Sequence, residues 1–89
     1  PLPSMEGRKE ILKIHTKNMS LDKDINLNEM IERMENFSGA EIKAACTEAG
    51  YFAIRDSRTN ITKNDFLGGI EKVKKEELLE GSDYMKMFG

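Results

Sequence analysis

The side chains that most often carry chemistry are scarce in this chain of 89 residues, which has one histidine, His15, and one cysteine, Cys46. These two residues cannot complete a four-ligand zinc site. The phosphate-binding pattern G-x-x-x-x-G-K-[ST] does not occur in the sequence. The adjacent carboxylates Glu76 and Glu77 lie in a run of charges, which favours a solvated surface over a general acid–base pair. We therefore expect that this chain alone catalyses no reaction.

Residues 37–42 form the stretch around which the rest of the chain is organised. Ser38 can cap a helix while Glu41, three positions later, bonds back to the cap. Gly39 and Ala40 place almost no side chain over the first turn, so that a flat ligand could approach the backbone there. A well-capped helix start explains the same residues without any ligand, and the residues alone leave both interpretations open.

His15 follows an apolar residue near the end of the first predicted helix. One interpretation is a half-buried histidine that interacts favourably with the helix C-terminus. The other is a hydrogen-bond donor to a ligand held between the first and third helices. Cys46 lies on the apolar side of the third helix, so we expect a buried, unreactive thiol.

The overall charge excludes some classes of partner. Fourteen basic and sixteen acidic residues give a net charge of -2, which argues against a nucleic-acid-binding surface. No apolar run approaches the ~20 residues of a membrane span. A single cysteine favours a reducing, intracellular compartment. The opening Pro1-Leu2-Pro3 is unlike a natural start, so we expect a fragment of a longer protein.

Capping signals divide the chain into four helices. Ser4 predicts a first helix at about 5–18, and three later helices each combine a cap, an acidic residue at the third helical position and two flanking apolar residues. Strand patterns are nearly absent, and only Ile61 favours an extended residue. The sequence therefore predicts an all-α four-helix bundle with short connections. The three later cap, acid and flanking sets are Asn26, Glu29, Ile25 and Met30; Ser38, Glu41, Phe37 and Ile42; Thr62, Asp65, Ile61 and Phe66.

The end of the chain differs in composition from the rest. Residues 74–80 are highly charged and can prolong the fourth helix, and we expect Gly81-Ser82-Asp83 to end it. The final residues 84–89 are apolar and aromatic, which is unusual for a disordered end. They either fold back onto the bundle or form a docking peptide. We therefore divide the chain into a domain, 1–75, and a charged linker with an apolar tail, 76–89.

Taken together, residues 1–19, 37–55 and 61–66 resemble, in order and spacing, the helical lid subdomain of an AAA+ ATPase. The run 46–50 is most similar to the proteasome regulatory ATPases within that family. The resemblance implies a hexameric ATP-dependent unfoldase in which ATP or ADP, with Mg²⁺, lies between this lid and a large α/β subdomain. It further implies that His15 contacts the ribose or adenine, and that Gly39 and Ala40 pack on the adenine.

The same resemblance suggests partners. Proteasome activators often end in a hydrophobic residue, a tyrosine and any residue, and Met87-Phe88-Gly89 is similar, with Phe in place of Tyr. Such a tail implies docking on the α-ring of the core proteasome, besides contacts with neighbouring AAA+ subunits and protein substrates. A cytoplasmic location is implied, or a nuclear one as well if the protein is eukaryotic. The alternatives are a lid of a valosin-containing-protein-like remodelling ATPase and a free-standing helical adaptor.

Overall fold

The computed structural model describes the backbone of residues 2–88 and the side chains of residues 2–77. It contains four helices: α1 Met5–Thr16, α2 Leu27–Arg33, α3 Gly39–Arg55 and α4 Lys63–Phe88. Helix α3 packs along α4 over the longest interface and against α1 on its other side, while α2 contacts α1 and α4. The predicted all-α class and the number of helices are confirmed.

Two of the three predicted capping boxes form in full. Ser38 Oγ accepts a hydrogen bond from the Glu41 backbone N–H at 3.2 Å, and the Ser38 N–H donates to Glu41 Oε1 at 2.8 Å. Thr62 and Asp65 make the same reciprocal pair at the start of α4, with both distances near 3 Å. Each pair satisfies backbone N–H groups that the first turn of a helix leaves without partners.

The predicted box at α2 forms only in part. Asn26 Oδ1 accepts from the backbone N–H groups of Asn28 and Glu29, as a cap should. The Glu29 carboxylate instead forms ion pairs with Arg33 in its own helix and with Lys63 at the start of α4. Each ion pair places a positive charge beside the Glu29 carboxylate, whereas a hydrogen bond from the neutral backbone N–H of Asn26 would not.

The core is continuous across the helices and is built mainly from aliphatic and methionine side chains. Burying such side chains is the main favourable term in folding. Both members of the pairs Phe37 with Ile42 and Ile61 with Phe66 are buried, as predicted for residues that flank a cap. The buried apolar residues are Leu12, Met30, Ile31, Met34, Phe37, Ile42, Ala45, Cys46, Ala49, Ala53, Ile61, Phe66, Ile70 and Val73.

Gly68 and Gly69, in the first half of α4, are explained by close packing against α3. A Cβ added at Gly69 would lie 2.5 Å from the Ala45 carbonyl oxygen and 3.0 Å from the Ala49 nitrogen. A Cβ added at Gly68 would instead meet the ring of Phe52 at 3.2 Å. Gly69 therefore lets the backbones of α3 and α4 approach more closely than any larger residue permits.

The loop between α1 and α2 is hydrogen-bonded to the loop between α3 and α4. Leu21 and Ile61 form an isolated parallel bridge, in which the Ile61 N–H donates to the Ser20 carbonyl at 2.7 Å. Asn60 Nδ2 also donates to Asp22 Oδ1. The extended residue predicted at Ile61 thus has its partner in the loop between α1 and α2.

Two predicted helix ends were wrong. Helix α1 ends at Thr16, two residues early, where the Thr16 carbonyl accepts from the Met19 N–H at 3.0 Å. Helix α4 continues through Gly81-Ser82-Asp83 to Phe88. One glycine costs about 1 kcal/mol in a helix, and the residues around it include many strong helix formers. The proposed boundary between residues 75 and 76 falls inside α4 and stays a prediction.

Candidate functional site

The start of α3 is rigidly held and nearly bare. The reciprocal bonds of Ser38 and Glu41 fix the first turn, and the Ser38 backbone N–H, as the largest contribution, lowers the pKa of the Glu41 carboxyl. That carboxyl therefore remains ionised beside the positive end of the helix dipole. Ala40 is exposed, and its methyl group and the Gly39 backbone form the surface of this turn. A flat, neutral group can reach the backbone here without displacing a side chain.

Where the start of α3 faces α1, the side chain that contacts it is uncharged. A Cβ built at Gly39 would lie 3.5 Å from Ile11 Cδ1, an ordinary van der Waals distance. His15 follows Ile11 by four residues, one helical turn later on the same face of α1, and is half-buried. The fold therefore brings the face of α1 that carries Ile11 and His15 against the start of α3 at Gly39.

The side that faces α4 is strongly acidic. A pocket of about 340 Å³ lies between the first turns of α3 and the middle of α4. Its apolar floor includes Ala44 and Val73, and its carboxylates repel an anion. A phosphate group is therefore disfavoured in this pocket, and a nucleotide that touches Ala40 must extend its phosphates elsewhere. The remaining lining residues are Ser38, Ala40, Glu41, Glu76 and Glu77.

The other predicted site residues lie apart from this turn or outside the described residues. The backbone of Met87 and Phe88 belongs to α4, but their side chains and all of Gly89 lie outside the described part. Cys46 is buried in the core, where burial raises the pKa of its thiol to about 11. It is therefore a core residue, as predicted.

Two buried charged features were missed by the sequence interpretation. Arg58 makes a two-pronged contact with Asp65, with Nη2 2.9 Å from Oδ1, and this contact lowers the pKa of the Asp65 carboxyl to about 2. No sequence signal marks that pair, because it crosses the turn before α4. Arg8 lies on the inward face of α1, and its spacing from Leu12 and Thr16 by whole turns could have revealed it.

The described residues offer no sign of a metal centre or a membrane segment. Across that part of the chain, His, Cys, Asp and Glu never gather in threes or more with an arrangement that could hold an ion. No helix among the same residues combines the length and apolar character that a membrane crossing requires.

A second surface pocket, of about 280 Å³, lies between the start of α1 and α2 and includes Met5, Lys9 and Ile31.

Known proteins resemble this chain over most of its length. A proteasome-activating nucleotidase of Archaeoglobus fulgidus is 53% identical over 76 residues, which cover 85% of this chain and 19% of that protein. The same-named protein of Methanopyrus kandleri is 52% identical over 79 residues, covering 86% and 18%. The 26S proteasome regulatory subunit 6A of Encephalitozoon cuniculi is 48% identical over 82 residues, covering 89% and 20%. The chain thus spans about a fifth of the length of these relatives.

The family comparison agrees with the fold, and the matched region includes the start of α3. The family model described as the AAA+ lid domain matches residues 24–68, slightly more than half of the chain. That match includes α2, α3 with its capped start, and the beginning of α4. The chain belongs to the AAA+ lid domain family.

Proposed function

We propose that this chain is the lid of a hexameric ATP-dependent protein unfoldase that activates the proteasome. The observation that carries the proposal is the identity of about half of the residues, over most of the chain, with proteins named proteasome-activating nucleotidase. The named relatives favour this function over a lid of a valosin-containing-protein-like ATPase. The family match disfavours a free-standing adaptor.

In this proposal the lid supplies one wall of an adenosine site. Gly39 and Ala40 pack on the adenine, and His15 donates a hydrogen bond to the ribose or adenine. The neutral face between α1 and α3 suits adenosine, and the carboxylates on the α4 side keep the phosphates away from that pocket. ATP, with Mg²⁺, supplies the free energy of hydrolysis, and the groups that act on its phosphates belong to the rest of the protein. We expect the chain alone to bind nucleotide weakly or not at all.

The proposed motion follows because the lid and the rest of the protein each supply part of the nucleotide site. A lid that contacts the adenosine can close on nucleotide and rotate when the nucleotide leaves, and its outer surface can pass that rotation to the neighbouring subunit of the ring. Protein substrates and the core proteasome complete the set of partners, and we infer a cytoplasmic location, or a nuclear one as well in a eukaryote. No nucleic-acid or membrane partner is proposed.

Replacing Gly39 with leucine in the full-length protein tests the adenosine wall. A leucine side chain would project from the bare turn into the space assigned to adenine, so we expect ATP affinity to fall at least about tenfold. Gly39→Ala is the matched control for the fold, because a Cβ there makes only an ordinary contact with Ile11. Thr47→Leu places a leucine on the exposed face of the same helix and should leave affinity unchanged. Unaltered affinity in Gly39→Leu, measured by calorimetry, would refute the adenine contact.

Removing the tail tests the proteasome partner separately. We expect deletion of Met87, Phe88 and Gly89 from the full-length hexamer to abolish stimulation of peptide hydrolysis by core proteasomes, because these residues dock on the α-ring. ATP hydrolysis by the deletion variant should persist, since the tail is not assigned to the nucleotide site. Phe88→Tyr restores the hydroxyl found in similar tails and should stimulate at least as well as the unaltered chain. Full stimulation without the tail would argue against docking through it.

A further inference from the structure

Arg8 is a buried cation without a partner among the described residues. It is 8% exposed, and its Nε is fully enclosed and meets no hydrogen-bond acceptor. No ion pair in the described part of the chain includes it, whereas Arg33 and Arg58 each pair with a carboxylate. An uncompensated guanidinium that has been withdrawn from water is costly, so nearly all buried charges in proteins are paired.

Its position in α1 adds to this cost. Arg8 lies in the first turns of the helix, near the positive end of the helix dipole, where a cation is disfavoured. Glu6, the acidic residue of that first turn, is exposed and forms no ion pair with it. Arg8 occupies the inward stripe of α1 with Leu12 and Thr16, so the helix itself directs the side chain away from bulk water.

The exposed part of the side chain indicates where a partner would bind. Nε is enclosed, whereas the terminal nitrogens Nη1 and Nη2 remain accessible from outside. A carboxylate can therefore meet the guanidinium end-on and accept two parallel hydrogen bonds, the geometry for which arginine is suited. Because the Arg8 side chain is already largely buried, a carboxylate gains the charge attraction while Arg8 loses little further hydration.

We propose that Arg8 anchors this lid to a carboxylate carried by the rest of the same polypeptide. This inference depends on the proposed function, in which the lid is one part of a longer ATPase. The relatives are about five times longer than the matched region, so most of such a protein lies outside this chain. A carboxylate in the same polypeptide is present at high effective concentration, as a permanently buried cation requires.

The test compares Arg8→Met in two settings, both without nucleotide. In the 89-residue chain, replacing an unpaired buried charge with an apolar side chain should leave Tm unchanged or raise it by a few degrees. In the full-length protein, the same substitution strands the carboxylate, so amide hydrogen exchange in α1 should become at least about tenfold faster. Arg8→Lys keeps the charge but loses the two-pronged geometry and should accelerate exchange by a smaller factor. Lys13→Met, on the exposed face of the same helix, should change neither quantity.

Several results would overturn the anchor. If Arg8→Met destabilised the 89-residue chain as much as it destabilised the full-length protein, Arg8 would belong to the lid's own packing. Unchanged amide hydrogen exchange in the full-length Arg8→Met variant would mean that solvent, and not a carboxylate, satisfies the Arg8 guanidinium. An effect present in assembled rings and lost in dissociated subunits would place the carboxylate on a neighbouring subunit. ATP affinity of the unaltered full-length protein is measured separately, so failure of the proposed function is distinguishable from failure of the anchor.

Discussion

Substituting Gly69 with alanine is expected to destabilise the bundle, although alanine is the better helix former. In an unconstrained helix interior, the change would stabilise by about 1 kcal/mol. Here the added Cβ would lie 2.5 Å from the Ala45 carbonyl oxygen, against about 3.4 Å for ordinary contact, and that oxygen belongs to the helix backbone and cannot swing aside as a flexible side chain would. Helices α3 and α4 must separate by several tenths of an ångström, and overpacking of this kind costs typically about 1–3 kcal/mol.

We expect a net loss of about 1 kcal/mol for Gly69→Ala, because an overpacking cost of about 2 kcal/mol outweighs the helix-propensity gain of about 1 kcal/mol. This loss corresponds to a fall in Tm of about 5 °C for a domain of this size. Thermal unfolding followed by circular dichroism measures it. Gly50→Ala is the matched control, because its Cβ would meet only the flexible end of Met19 at 3.8 Å. That variant should gain about 1 kcal/mol, a rise in Tm of about 5 °C. If Gly69→Ala were stabilised as much as Gly50→Ala, the close approach of α3 and α4 would be wrong.

The remaining predictions concern titration. The Asp65 carboxyl has its pKa lowered from 3.8 to about 2, so its ion pair with Arg58 contributes stability that is present above about pH 4 and lost as pH falls towards 2. The contribution is at most about 2 kcal/mol, reduced by solvent screening because the Arg58 side chain is 29% exposed. Asp65→Asn should therefore lower Tm at pH 6 and have a smaller effect at pH 2; an equal effect at both values would contradict the assignment. With the pKa of Cys46 raised to about 11, native protein at pH 8 should react with a thiol reagent on the order of 100-fold more slowly than unfolded protein, and equal rates would refute burial of the thiol.

Local interactions explain why much of the fold could be predicted from the sequence. A cap and its acidic residue are three positions apart, so the bonds that start α3 and α4 involve neighbours along the chain. The same holds for the bare turn, since Gly39 has no side chain and Ala40 only a methyl group wherever the helix is placed. Helix ends were less predictable, because several endings compete within about 1 kcal/mol and Gly81 did not stop α4.

Contacts between distant parts of the chain required the tertiary structure. The pairing of Leu21 with Ile61 crosses 40 positions, and the acidic character of one side of the α3 start depends on residues contributed by α4. The sequence interpretation missed Arg8 on the inward face of α1, and only the packed bundle shows that its Nε is enclosed and has no hydrogen-bond partner among the described residues.

The sequence by itself therefore determined the four helices, their caps and the bare turn of Gly39 and Ala40, because each depends on residues within one or two helical turns. The tertiary structure decided which side of that turn is neutral, how closely α3 approaches α4 at Gly69, and which charges are buried. These features depend on which helices meet, and that is set by the packing of side chains far apart in sequence.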